Sequence, residues 1–324
     1  MPTRRSSPTR TPASGQTRRR RLTSAATMLP LALGLASNIS RPSAGPHAMR
    51  AGAPTHIVCT LPFDSIKQHH PIDDSCTFDG AASADTPQSA QNEAKNNFCS
   101  SGPPVNIDFA VLQQLQDDAA KPGSGISFGG DSQLPKDRSV LRDLPTKAGA
   151  LSEGMIVRLA AFVMDAHYSN VSKGESVNCK TGGKENNDIH IVLVEKTDEQ
   201  DQCKSVTAEM GPHFRPDAWT PDNLNQRNAH LYRFTGQLFF DASHRPCSPG
   251  GQGSPKRRSV WEVHPVYAVD VCADRSNNCK VDSDENWISL AEQTGEDPNE
   301  TRLWLPDEIS TQFGATTRPS WSLP

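Results

Sequence analysis

Residues 151–272 hold the apolar runs that read as strands. Met155 to Tyr168 is rich in apolar and β-compatible residues and predicts a long first strand. Ile189 to Val194, behind a Gly/Asn turn, predicts a second, and Ser205 to Met210 a third. Pro221 to Leu231 predicts a short helix, with Asp222 near its start. Tyr232 to Asp241 predicts a fourth strand, with Gly236 in its middle where a small barrel would bend. Ser259 to Cys272, carrying Trp261, Val263, Val266, Val269 and Val271, predicts a fifth. Three strands, a short helix and two strands is the element order of an OB-fold, a five-stranded Greek-key barrel. A β-sandwich needs about seven strands. A doubly wound α/β fold needs helices between its strands.

The flanks are more polar. Residues 51–150 are broken by Pro and Gly and read as an irregular, partly helical extension that contains cysteine. Pro87 to Asn97 predicts one helix. Asn106 to Ala119 predicts another, with Ile107, Val111 and Leu115 at helical spacing and Lys121-Pro122-Gly123 stopping it. Residues 273–324 read as a polar tail in which Trp287, Trp304 and Trp321 are isolated docking anchors. Residues 1–50 read as an export signal and linker. Arg18 to Arg21 precede an uncharged stretch from Leu22 to Ser40, and small residues follow. The apolar part is short and holds Pro30 and Gly34, so no stable membrane span is expected once the signal is removed. The expected location is periplasmic or secreted.

Composition sharpens this picture. The chain is 35% apolar with 26 prolines and a mean hydropathy of -0.60, which fits one modest core with long loops and excludes a polytopic membrane protein. Residues 1–50 carry nine basic and no acidic side chains. That leaves 24 basic against 37 acidic over 51–324, a balance of -13. Such a body repels phosphate backbones at long range, so general nucleic-acid binding is not expected. All eight cysteines lie beyond the leader and none forms a CxxC pair, which fits disulfides in an oxidising compartment. Proximity in sequence favours Cys272–Cys279 first, with Cys76–Cys99 and Cys179–Cys203 behind it.

Several stretches carry a resemblance. They are Asp188-Ile189-His190, Thr235 to Asp241 followed by His244, Trp261-Glu262-Val263-His264-Pro265-Val266, and the polar segment from Ala94 to Cys99. Together they resemble uncharacterised exported bacterial proteins with an OB-fold-like domain. The resemblance implies the barrel and carries no assigned activity.

Strand alternation sorts the polar residues. Asp188 and His190 share one face of the second strand, Thr207 and Glu209 one face of the third, and Glu262 and His264 one face of the fifth. Strands two, three and five are neighbours in an OB barrel, so these residues can converge. Two imidazoles and carboxylates suit zinc or manganese. His190, His264, Glu209 and Asp188 are the candidate ligands, and Glu209 or Glu262 the candidate general base. The competing surface is the loop before the fifth strand, which ends in Lys256-Arg257-Arg258 beside Trp261 and would hold an anionic ligand. The sequence therefore reads first as an exported binding or interaction module for an unidentified extracytoplasmic ligand or protein. Its alternative is a divalent-metal-dependent hydrolase with a His/Glu site on the barrel face.

Overall fold

The computed structural model describes residues 75–295, apart from Cys99, Ser101, Lys136 and Phe214. In chain order the elements are α1 (Pro87–Lys95), β1 (Val105–Ile107), α2 (Phe109–Ala119), β2 (Leu144–Thr146) and β3 (Gly149–Leu151), then β4 (Ile156–Tyr168), β5 (Ile189–Val194) and β6 (Val206–Met210). They continue with α3 (Pro221–Asn225), β7 (Leu231–Phe240), β8 (Trp261–Cys272), β9 (Trp287–Ser289) and α4 (Leu290–Thr294).

Five strands close a mixed barrel in the order β4-β5-β6-β8-β7, with β7 pairing back onto β4. Only β6 and β8 run parallel among these pairs. This is the OB-like order expected from the strand count. The thirteen-residue β4 serves two neighbours: Ile156 to Phe162 pair with β7, and Phe162 to Tyr168 pair with β5 across an irregularity at Val163/Asp165. Inward positions alternate as the pleat demands. Ile189, Ile191 and Leu193 of β5, Val206, Ala208 and Met210 of β6, and Trp261 and Val263 of β8 all enter the core.

The extension belongs to the same core. β1 pairs in parallel with β4. Helix α2 buries Phe109, Val111, Leu112 and Leu115 in the cluster that fills the barrel. Asp108 caps α2 by accepting from the Val111 N–H, so the helix begins three residues later than its apolar spacing predicts. Ile107 is drawn into β1 instead. The first helix ends at Lys95, two residues short of expectation. At the other end, β9 pairs with β8, and Arg233 lies over the Trp287 ring at 5.0 Å. Trp287 is thus an anchor. Trp304, Trp321, the leader and Cys59 lie outside the described residues.

Three disulfides join described residues: Cys76–Cys179, Cys203–Cys247 and Cys272–Cys279. The last is the expected local bridge. The other two correct the pairings Cys76–Cys99 and Cys179–Cys203. Folding brings Cys76 and Cys179 to a Cα separation of 5.5 Å across 103 positions, a proximity that sequence distance conceals. The bridges are consistent with an oxidising, exported location. Among the described residues no helix is long and apolar enough to cross a membrane.

Gly236 sits at the register shift between β7 and β8. A Cβ there would lie 2.4 Å from the Pro265 carbonyl oxygen and 2.7 Å from Val263 Cγ1. Gly236→Ala should therefore lower stability by about 1–3 kcal/mol, as overpacking does. Urea unfolding of the variant tests this, and a midpoint equal to that of the wild type would refute it.

Candidate functional site

Side chains that alternate away from the barrel core form a polar outer face. On β5, Ile189 and Ile191 point inward, so His190 between them points outward. Its pairing partner is Glu209 on β6. The parallel pairing of Ala208 with Val263 brings Glu209 beside Glu262 and His264 of β8. Asp188 lies just before β5 and accepts from Asn178 Nδ2 at 2.9 Å.

Three further segments close over this face. The β4–β5 loop supplies Glu175. The β7–β8 loop supplies Asp241, His244 and Arg257. Helix α1 supplies Lys95 and Gln91. Asn92 of α1 is fixed to Ser176 Oγ at 3.1 Å, and the Cys76–Cys179 bridge ties the same segments covalently. Between them lies a cleft of about 650 Å³ whose lining includes Lys95, Glu175, His190, Glu209, His244 and Arg257. OB-folds bind ligands on this part of the barrel, between the corresponding two loops.

The charges form a continuous chain. His244 Nδ1 lies 2.7 Å from Asp241 Oδ2, which also meets Arg257 at 2.7 Å. Arg257 reaches on to Glu262 at 2.6 Å. His264 Nδ1 lies 3.5 Å from Glu262 and 2.6 Å from Glu209. Its Nε2 lies 3.8 Å from Asp188. His190 Nε2 lies 3.2 Å from Glu209 and 3.4 Å from Glu175, and Lys95 Nζ lies 3.2 Å from Glu209. Despite this crowding, Glu175 Oε2, Asp188 Oδ2, His190 Nε2, Glu262 Oε1 and His264 Nδ1 are buried without an aligned hydrogen bond. Two triads have ligand atoms within 4.8 Å of one another and could hold a metal: Glu175, Asp188, His190 and Asp188, Glu209, His264.

Electrostatics follow from the crowding. Burial disfavours the charged form of His190, but Glu209 and Glu175 outweigh it and raise its pKa to about 9. Burial likewise opposes charge on His264, and Glu209 and Glu262 overcome it, again to about 9. Burial and the Glu175 charge push the Asp188 carboxyl up. Burial and Glu209 push Glu262 up. Glu209 resists burial because His190, Lys95 and His264 hold it well below the usual carboxylate range. Asp241 does the same beside Arg257. The two protons on these imidazoles supply the charge of one divalent cation.

Asp188, His190, Glu209, Glu262 and His264 thus meet as the strand faces predict. The basic surface does not assemble. Lys256 is exposed, but Arg257 is 1% exposed inside the carboxylate chain. Arg258 lies over the Phe109 ring at 5.6 Å. Trp261 is fully buried against Phe240, as its inward position on β8 requires. These four residues do not share one exposed face. Lys95, Glu175 and Asp241 were not legible as site residues, since each comes from a loop or a distant helix. No family model, curated protein or solved structure matches the chain. The likeness to exported OB-like proteins is therefore supported at the level of the barrel alone.

Two outcomes test the charge chain. Arg257→Met leaves Asp241 and Glu262 facing one another without their cation, and should cost about 3–5 kcal/mol in chemical unfolding. A loss under about 1 kcal/mol would show that Arg257 does not hold them. The second is pH dependence in the metal-free chain. Both imidazoles have folded pKa values near 9, above the ordinary 6.5. Their stabilisation is present in full below about pH 6.5 and is lost as pH rises through 9. Melting temperature should fall over that window in chelator-treated protein. A flat profile in wild type would refute it, and His190→Gln should flatten the slope in part.

Proposed function

We propose that this chain is a divalent-metal-binding protein whose cleft carries out metal-assisted hydrolysis, with Glu175, Asp188, His190, Glu209 and His264 as the ligand set. The observation that carries the reading is the group of buried donor atoms without aligned hydrogen bonds, converging from two imidazoles and three carboxylates. Buried polar atoms are ordinarily satisfied, so five such atoms in one place call for a shared partner. A cation held by either triad would engage Asp188 and one imidazole, with Glu175 or Glu209 completing the set, while Glu262 stays paired with Arg257.

The donor set of nitrogen and oxygen suits zinc or manganese. Asp188, Glu209 and His264 form the buried triad. Glu175 and His190 line the cleft, where open coordination positions would face a substrate. A cation there polarises a bound ester oxygen and acidifies water. The alternative, a binding module reading its ligand through Lys256, Arg257, Arg258 and Trp261, lacks an exposed surface that those residues share. Export to an oxidising compartment fits the disulfides, and the acidic balance of residues 51–324 favours a small substrate over a long polyanion.

Metal analysis tests the reading. Untagged protein purified after export should hold close to one zinc or manganese per chain. The His190→Ala/His264→Ala double variant, folded by circular dichroism, should hold less than a tenth of that. Wild-type protein without metal, and without a thermal shift on adding zinc or manganese, would sink the proposal.

A further inference from the structure

The β7–β8 loop carries a second arrangement that the ligand set does not use. Asp241 is buried, with a side chain 2% exposed, and three neighbours fix it. Arg257 donates to Oδ2 at 2.7 Å, Gln91 Nε2 donates to Oδ1 at 3.4 Å, and the Ser243 backbone N–H donates to Oδ1 at 3.2 Å. His244 follows at three residues and places Nδ1 2.7 Å from Asp241 Oδ2. An ionised carboxylate can only accept, so Nδ1 carries a proton and Nε2 is the nitrogen left to exchange one. The imidazole itself remains 40% exposed and lines the cleft. A buried carboxylate that fixes the tautomer of a half-exposed histidine is the arrangement of a general base with its orienting group.

The dyad shares its cleft with the carboxylate–imidazole cluster. Helix α1 spans both: Gln91 contacts Asp241 and Lys95 contacts Glu209. His244, Glu175, His190 and Glu209 all line this one cleft. Lys173 and Lys180 of the β4–β5 loop also line the cleft and suit an anionic group.

We propose that His244 is a catalytic residue, the general acid–base in the hydrolysis of a small phosphate diester held in this cleft, with Asp241 as its positioning residue. This rests on the hydrolase reading above. The step balances without redox. A water oxygen bonds to phosphorus as the bond from phosphorus to the leaving oxygen breaks. The water proton passes to His244 Nε2 and then to the leaving oxygen, so one water is consumed and an alcohol and a phosphate monoester are released. A diester is favoured because it presents one negative charge to the cation and the rim lysines, while its small size avoids the long-range repulsion of a polyanion.

The experiment uses the full-length chain, loaded with zinc or manganese, and bis(p-nitrophenyl) phosphate as probe. p-Nitrophenyl phosphate and p-nitrophenyl acetate run alongside. His244→Ala should lower diester turnover about 100-fold or more. Metal content and melting temperature should stay at wild-type values, and added imidazole should restore part of the rate. Activity within threefold of wild type, or a loss that imidazole does not restore, overturns the role of His244. No diester turnover by the metal-loaded wild type, with or without acetate hydrolysis, overturns the substrate class and the proposal with it. Turnover that depends on His244 in a wild type that binds no metal would leave the dyad standing and sink the metal reading alone.

Discussion

Everything around the cleft depends on pairing buried charge. Glu175, Asp188, Glu209, Asp241 and Glu262 crowd one outer face of a small barrel, and a lone buried carboxylate is costly. Lys95 and Arg257 supply two fixed positive charges from outside the ligand strands. The imidazoles of His190 and His264 supply two more only while protonated. Removing any one cation leaves neighbours whose desolvation is no longer offset. Each cation thus stabilises its neighbours, and the pairs tie together segments that are distant in the sequence.

The same pairing helps to hold the N-terminal extension on the barrel. Its apolar part, α2, fills the core. Its polar part, α1, has little apolar surface to bury, and most of what it buries is polar: Ser89, Gln91 and Asn92. Hydrogen bonds and ion pairs hold it instead, to Ser176, Asp241, Glu209 and the Asp79 carbonyl. A disulfide from Cys76 to Cys179 closes the same junction. The lid over the cleft is thus fastened by the chemistry of the cleft. Packing fixes the barrel, and electrostatics fix what sits on it.

The barrel was legible because its signal is local. Apolar runs, a helix between strands three and four, and Gly236 each speak for themselves within about ten residues. The face was legible for the same reason: alternation puts Asp188 with His190 and Glu262 with His264, and neighbouring strands do the rest. Lys95, Glu175 and Asp241 were not, because loops have no period and nothing in a loop marks which residue turns inward. Arg257 misled in the opposite sense. In sequence it stands between Lys256 and Arg258 as part of a basic run, yet two buried carboxylates draw it inside. Trp261 misled through its neighbours as well, since the next residue on its strand faces the site while Trp261 faces the core. The wrong disulfide pairings share this origin, for Cys76 meets Cys179 only once the extension is folded over the β4–β5 loop.

Charge counting also bears on how many cations the cleft can take. With every carboxylate of the set ionised, five negative charges face Lys95 and Arg257, which leaves three uncompensated. Two imidazolium protons reduce this to one, and a single divalent cation on neutral imidazoles reduces it to the same one. Exchanging two protons for one cation therefore leaves the local field nearly unchanged, and the carboxylates that pair with Lys95 and Arg257 need not move. A second divalent cation would turn the set positive by one, a state that an anionic substrate would have to neutralise. On the proposed metal reading, this balance favours one ion. Any second would arrive with, and depend on, the negative charge of what the cleft binds.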